Sequence, residues 1–239
     1  MLIEVCANGL QSALNAQKAG ADRIELCAEL GVGGLTPSYG QLQLVRERLS
    51  IPIHVLIRPR SGHFTYSDEE FEVMLANIDH CRKIGIDGIV SGVLTKGHTL
   101  DIERTKQLVE RSGPMHFCFH RAFDWVKNPI ETLQSLEEMG VSTILSSGHK
   151  NKALEGLEQL QHWQGKTKIT FMAGGGIRPE NAKAFKDSGL RAIHLSGTEF
   201  TNSVSIEDKI PMNSNNHLIE HHVAVTKVDV IRQTIQSFK

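Results

Sequence analysis

Alternation constrains this chain more than any other feature. Short β-branched runs take turns with amphipathic helical segments along nearly all of its 239 residues, the pattern of a parallel sheet covered by crossover helices. Strands read at Leu2 to Cys6, Arg23 to Cys27, Ile53 to Arg58, Gly88 to Ser91, Met115 to His120, Thr143 to Ser146, Ile169 to Met172 and Ala192 to Leu195. Four phrases set a glycine just past a helix, where a left-handed C-cap is needed: Ala19-Gly20-Ala21-Asp22, Ile84-Gly85-Ile86-Asp87, Met139-Gly140-Val141-Ser142 and Ser188-Gly189-Leu190-Arg191. Repetition of this unit, in a chain near the roughly 250 residues an eight-fold barrel uses, predicts one α/β domain over residues 1–239, a (β/α)8 TIM barrel. A doubly wound open sheet is the alternative, but its G-x-G-x-x-G fingerprint is absent after the first strand. Residues 201 to 219 read as a long polar loop and His222 to Phe238 as the last helix.

Period-2 alternation sorts each strand into two faces. Ile3, Val5, Ile24, Leu26, Val55, Ile57, Phe117, Phe119, Ile193 and Leu195 belong beneath helices. Their alternates are Glu4, Cys6, Glu25, Cys27, His54, Arg58, His116, Cys118, His120, His194 and Ser196. Barrel interiors are ordinarily filled with Val, Ile and Leu; this one is lined with acids, thiols, imidazoles and a guanidinium. Unpaired buried charges cost several kcal/mol each, so these groups pair with one another or meet a ligand. An internal network, such as Glu4 or Glu25 with Arg58, and a functional site at the strand C-termini can coexist.

The formal net charge of -1 and the absence of a basic run argue against a nucleic-acid partner. No apolar stretch approaches the roughly 20 residues of a membrane span, and the sequence opens on a strand rather than a leader. The four cysteines are scattered, as in a protein of reduced thiols. The expected location is the cytoplasm, with no membrane partner.

Chemistry concentrates at the strand ends. Ile3-Glu4-Val5-Cys6-Ala7 and Ile24-Glu25-Leu26-Cys27-Ala28 are near-copies, which set two carboxylates and two thiols on strands about 4.8 Å apart. Two thiols so placed can share a soft ion such as Cu(I); alternatively, Cys6 and Cys27 are small buried residues that fill space. Arg58-Pro59-Arg60 presents two guanidinium forks at the rim, suited to carboxylate or phosphate. His120-Arg121-Ala122-Phe123-Asp124 adds an imidazole, a fork and an acid, so that His120 could work with Glu25 or with Asp124 in proton transfer. Equally, Arg121 and Asp124 could pin their loop. Gly174-Gly175-Gly176 after the seventh strand and Ser196-Gly197 after the eighth fall where barrel enzymes cradle phosphate with backbone N–H groups. Pro37, in the glycine-rich loop after the second strand, suits the first turn of a helix.

Several phrases resemble the copper homeostasis protein CutC family: Gly20-Ala21-Asp22-Arg23-Ile24-Glu25-Leu26-Cys27, Gly33-Gly34-Leu35-Thr36-Pro37-Ser38, Ile57-Arg58-Pro59-Arg60, Tyr66-Ser67-Asp68, Phe119-His120-Arg121-Ala122-Phe123-Asp124 and Ser147-Gly148. The resemblance implies a cytoplasmic barrel, often a homo-oligomer, with a role in copper handling and Cu(I) on Cys6 and Cys27. This chain departs from the family at Ser61-Gly62-His63, where Gly-Gly-Asp is usual, and at Cys118, where Thr is common.

Three functions follow. The first is copper homeostasis through Cu(I) on Cys6 and Cys27. The second is an enzyme on a small anionic metabolite, phosphorylated metabolites included. Its candidate catalytic residues are Glu25, His120 and Asp124. Glu4, Arg58, Arg60, Arg121, His194 and Ser196, with the backbone of Gly175, Gly176 and Gly197, would bind the substrate. No lysine stands convincingly at a strand C-terminus, which disfavours Schiff-base chemistry. The third is an interaction scaffold, which predicts a barrel mouth filled by its own side chains.

Overall fold

The computed structural model describes residues 1–201, 209–210, 212 and 223–238. Eight parallel strands close on themselves in chain order: β1 (Leu2–Ala7), β2 (Arg23–Leu26), β3 (Ile53–Leu56), β4 (Gly88–Ser91), β5 (His116–Phe119), β6 (Thr143–Ser146), β7 (Thr170–Gly174) and β8 (Ala192–Leu195). Closure comes from β8 pairing with β1, which sets Glu4 opposite His194. The helices α1 (Leu10–Ala19), α2 (Tyr39–Arg48), α3 (Asp68–Lys83), α4 (Ile102–Ser112), α5 (Pro129–Glu138), α6 (Leu157–Gln164), α7 (Pro179–Asp187) and α8 (Val228–Gln236) follow the strands. The architecture is the TIM barrel that the alternation predicts; an open sheet is ruled out by the β1–β8 pairing.

Local chemistry sets the helix ends. Ser67 and Glu70 form a reciprocal capping box at α3, and Asp101 caps α4. Gly20, Gly85, Gly140 and Gly189 all have φ between 75 and 93°, the left-handed turn from helix to next strand. Ser38 caps α2, so Pro37 stands just outside that helix rather than in its first turn.

The two strand faces separate as their parity requires. Ile3, Val5, Ile24, Leu26, Val55 and Phe117 join the main core beneath the helices. A second, smaller apolar cluster inside the barrel holds Cys6, Cys27, Leu56, Val90, Cys118 and Leu145, with Met172 and Ala192. No described helix is long and apolar enough to cross a membrane.

The C-terminal segment differs from expectation. After β8 the chain forms β9 (Thr198–Thr201), which pairs antiparallel with β10 (Val223–Thr226). The last helix therefore begins at Val228 rather than near His222, because β-branched Val223, Val225 and Thr226 are taken up by a strand. Most of the segment read as a polar loop, 202–208, 211 and 213–219, lies outside the described residues.

Candidate functional site

Glu4 is the hub of the barrel interior. Its carboxylate is fully buried, accepts Arg23 Nε at 2.6 Å and lies 2.7 Å from His194 Nδ1. Burial alone would raise its pKa, but the His194 hydrogen bond and the Arg23 charge outweigh burial and hold it well below the usual carboxylate range. His54 Nδ1 stands 3.6 Å from the same carboxylate, and the His54 and His116 rings lie 5.0 Å apart. Burial lowers His54 to about 4 and also lowers His116, so these imidazoles are neutral fillers. Arg23, the ion-pair partner of Glu4, was not among the residues that the sequence placed inside the barrel. It shares the parity of Glu25 and Cys27, which was the signal for its inward position.

Beside this network opens a cavity of about 420 Å³, whose wall includes Cys6, Glu25, Arg58, His120 and His194. One donor atom each from Cys6, Glu25 and His194 lies within 4.8 Å of the others. His194 Nε2 stands 3.3 Å from Glu25. Burial works against a charged His194, but Glu25 and Glu4 prevail and raise its pKa. Burial is also the main reason that Glu25 is raised. His194 Nε2 and the Glu25 carboxylate are thus two groups of raised proton affinity, close enough to share a proton. Cys6 Sγ lies 3.5 Å from Cys27 Sγ. That contact, then burial, pushes the Cys6 thiol well above the usual thiol range.

Several candidate residues occupy other roles. Arg58 does not pair with Glu4 or Glu25: its Nη1 donates to the carbonyls of Val32 and Gly34, its Nη2 to that of Gly62, while its ring-side neighbour is Phe64 at 5.4 Å. Arg60 is away from the cavity wall, bound to Glu70 at 2.5 Å and to three loop carbonyls. Asp124 serves its own loop through Arg121, Ser146 and Ser147, and among the described residues it pairs with no imidazole. His120 lines the cavity, yet its Nδ1 accepts the Ala122 N–H, and burial followed by the Arg58 charge lowers it to about 3. Glu4 lies behind His194 and does not line the cavity. Gly175, Gly176, Ser196 and Arg121 do line it, as do Phe64 and Arg178; Gly197 packs under Ile231. Cys27 is fully buried behind Gly34 and Leu56, so the clustered metal-type donors are Cys6, Glu25 and His194 rather than the two thiols alone. An open cavity also runs counter to a scaffold whose mouth is filled by its own side chains.

Residues 1–199 match the sequence profile of the CutC family. A family protein CutC of Salmonella newport (strain SL254) is 46% identical over 197 residues, which covers 82% of this chain and 79% of the relative. The crystal structure of a proposed copper homeostasis protein CutC from Streptococcus agalactiae aligns with a TM-score of 0.78 at 31% identity, over 82% of this chain and 98% of that one. Phosphoribosylanthranilate isomerase of Thermotoga maritima, at 12% identity and a TM-score of 0.61 over 100% of this chain and 98% of its own, shares the barrel fold.

Proposed function

The chain belongs to the CutC family, and from that premise we propose that it is a cytoplasmic copper homeostasis protein that takes Cu(I) as cargo at the barrel mouth. The observation that carries this reading is the convergence of Cys6, Glu25 and His194 within 4.8 Å, with the Cys27 sulfur 3.5 Å behind Cys6. Thiolate and imidazole are the donors that a soft ion selects. A metal–thiolate bond is about 2.3 Å, so sulfurs at this separation can share an ion seated to one side of the line between them. Glu25 is the harder donor beside them, and the proton that Cys6 must give up on binding leaves to solvent. All four cysteines are free thiols, the state a reducing compartment maintains. Anaerobic Cu(I) competition titration of wild type, Cys6→Ser and Cys27→Ser tests the reading; equal stoichiometry and affinity in all three would remove it. Light scattering on the same samples tests the homo-oligomer that the family resemblance implies.

The size of the cavity favours a second reading. Some 420 Å³ falls within the roughly 300–1,000 Å³ of small-molecule sites and far exceeds the needs of one ion. It suits an enzyme on a small anionic metabolite, with His194 and Glu25 as its acid/base pair. Turnover of a compound from a metabolite library by the copper-free protein, abolished in Glu25→Gln, would select this reading; no turnover of any compound would count against it.

A further inference from the structure

The cavity wall carries polar groups for which Cu(I) has no use. Among the described residues, the backbone N–H groups of Gly175, Gly176, Ile177, Ser196 and Gly197 find no acceptor. Ile177 and Gly197 are buried, and an unpaired amide in such a place is costly. Gly175 and Gly176 have φ of +114 and +73°, conformations open to glycine, in which successive amides can form an anion-binding concavity. The guanidinium of Arg178, the residue just before α7, donates to the Thr198 carbonyl at 3.3 Å, its one acceptor among the described residues. Arg121 gives Nε to Asp124 and Nη2 to Ser147. Its Nη1 is left beside Gly175, 3.4 Å from the Cβ that another residue would carry there.

Two further groups are independent of those loops. His120 and Arg58 line the same cavity at 5% and 6% exposure, and His120 Nε2 and Arg58 Nε are buried without a partner. Native interiors rarely leave such atoms unpaired unless a ligand or water completes them.

We propose that the cavity binds a small phosphate ester: its phosphoryl group sits on the amides after β7 and β8 with Arg178, and its body is hydrogen-bonded by His120 Nε2. A tetrahedral oxyanion offers three oxygens to donors arriving from two loops, which a planar carboxylate does not. The proposal deepens the enzyme reading by naming its substrate class, but the test reads binding rather than turnover.

The copper-free chain is titrated in turn with inorganic phosphate, glycerol 3-phosphate and acetate, and amide shifts are followed by 15N NMR. Both phosphates are expected to shift the five named amides saturably, the ester more tightly, while acetate leaves them in place. Arg178→Ala should weaken both phosphates about tenfold. His120→Asn should weaken the ester and leave inorganic phosphate unchanged. No saturable shift at these amides, acetate binding as tightly as phosphate, or unaltered affinity in Arg178→Ala would each overturn the assignment. Binding of the ester without turnover of any phosphate ester would sustain the subsite and remove the acid/base reading, so the two fail separately.

Discussion

His194 Nδ1 lies 2.7 Å from Glu4 Oε1, and this contact decides what the other ring nitrogen can do. With Nδ1 committed to a buried carboxylate, Nε2 is turned toward Glu25 and the cavity, 3.3 Å from the Glu25 carboxylate. A carboxylate behind an imidazole in this way fixes its ring orientation and strengthens it as a base or as a ligand. Glu4 is anchored in turn by Arg23 at 2.6 Å.

Because Glu4 and Arg23 are both buried, removing one partner strands the other charge. Glu4→Gln is expected to lower unfolding free energy by about 3–5 kcal/mol. Urea denaturation at pH 7 measures this. The double variant Glu4→Gln/Arg23→Met should recover much of the loss, as expected when both charges leave together. Additive losses would contradict the pairing.

Cys6 must shed its proton to bind Cu(I), and its pKa is raised by the Cys27 contact and by burial. Cu(I) affinity should therefore rise with pH, by about tenfold per unit for one released proton. Competition titrations at pH 6, 7 and 8 read the slope. A flat profile would exclude Cys6 thiolate as a ligand.

His120 is expected to make the fold acid-sensitive. An imidazole in the unfolded chain titrates near 6.5, whereas burial and Arg58 hold the folded one down to about 3. Between these values the unfolded chain takes up a proton that the folded chain refuses. Stability is thus fully present above pH 6.5 and falls as the pH drops toward 3, by up to about 1.4 kcal/mol per unit from this group. His54, lowered to about 4 by burial, adds loss in the same direction. His120→Asn, whose amide oxygen can still accept the Ala122 N–H, should make the pH dependence of the urea midpoint shallower over pH 4 to 6.5. An unchanged slope would contradict the assignment.

The Ser147-Gly148 phrase has a packing reason. A Cβ on Gly148 would stand 2.3 Å from the Gly156 carbonyl oxygen, at a φ of +73°. Gly148→Ala should cost about 1–3 kcal/mol or more, measured by urea denaturation; a change below 0.5 kcal/mol would mean that this loop crossing is looser than described.

The strands were legible because parity and turn chemistry act locally. The sequence reading of β4, β6 and β8 matches their observed limits, since glycine, serine or charged residues bound each apolar run. Which inward groups meet could not be read, because partners are set by barrel closure. The neighbourhood of Glu4 with His194 exists only once β8 pairs with β1, 190 residues apart. Arg58 illustrates the same limit. A guanidinium on an inward position suggests a carboxylate, yet here the loop carbonyls of Val32, Gly34 and Gly62 surround it first. Arg23 followed the parity rule but stood at the strand's first residue, where the inward face is easily overlooked. β10 was hidden because Val223 to Thr226 directly precedes a helix, and its strand identity depends on the distant partner β9.

Copper X-ray absorption on the protein loaded anaerobically with one equivalent of Cu(I) reads whether Cys6 and His194 hold the ion at the mouth. Sulfur and imidazole nitrogen are expected together in the first coordination sphere, with the nitrogen lost in His194→Gln and sulfur scattering reduced in Cys6→Ser. A spectrum without sulfur, or one unchanged by both substitutions, would contradict that coordination.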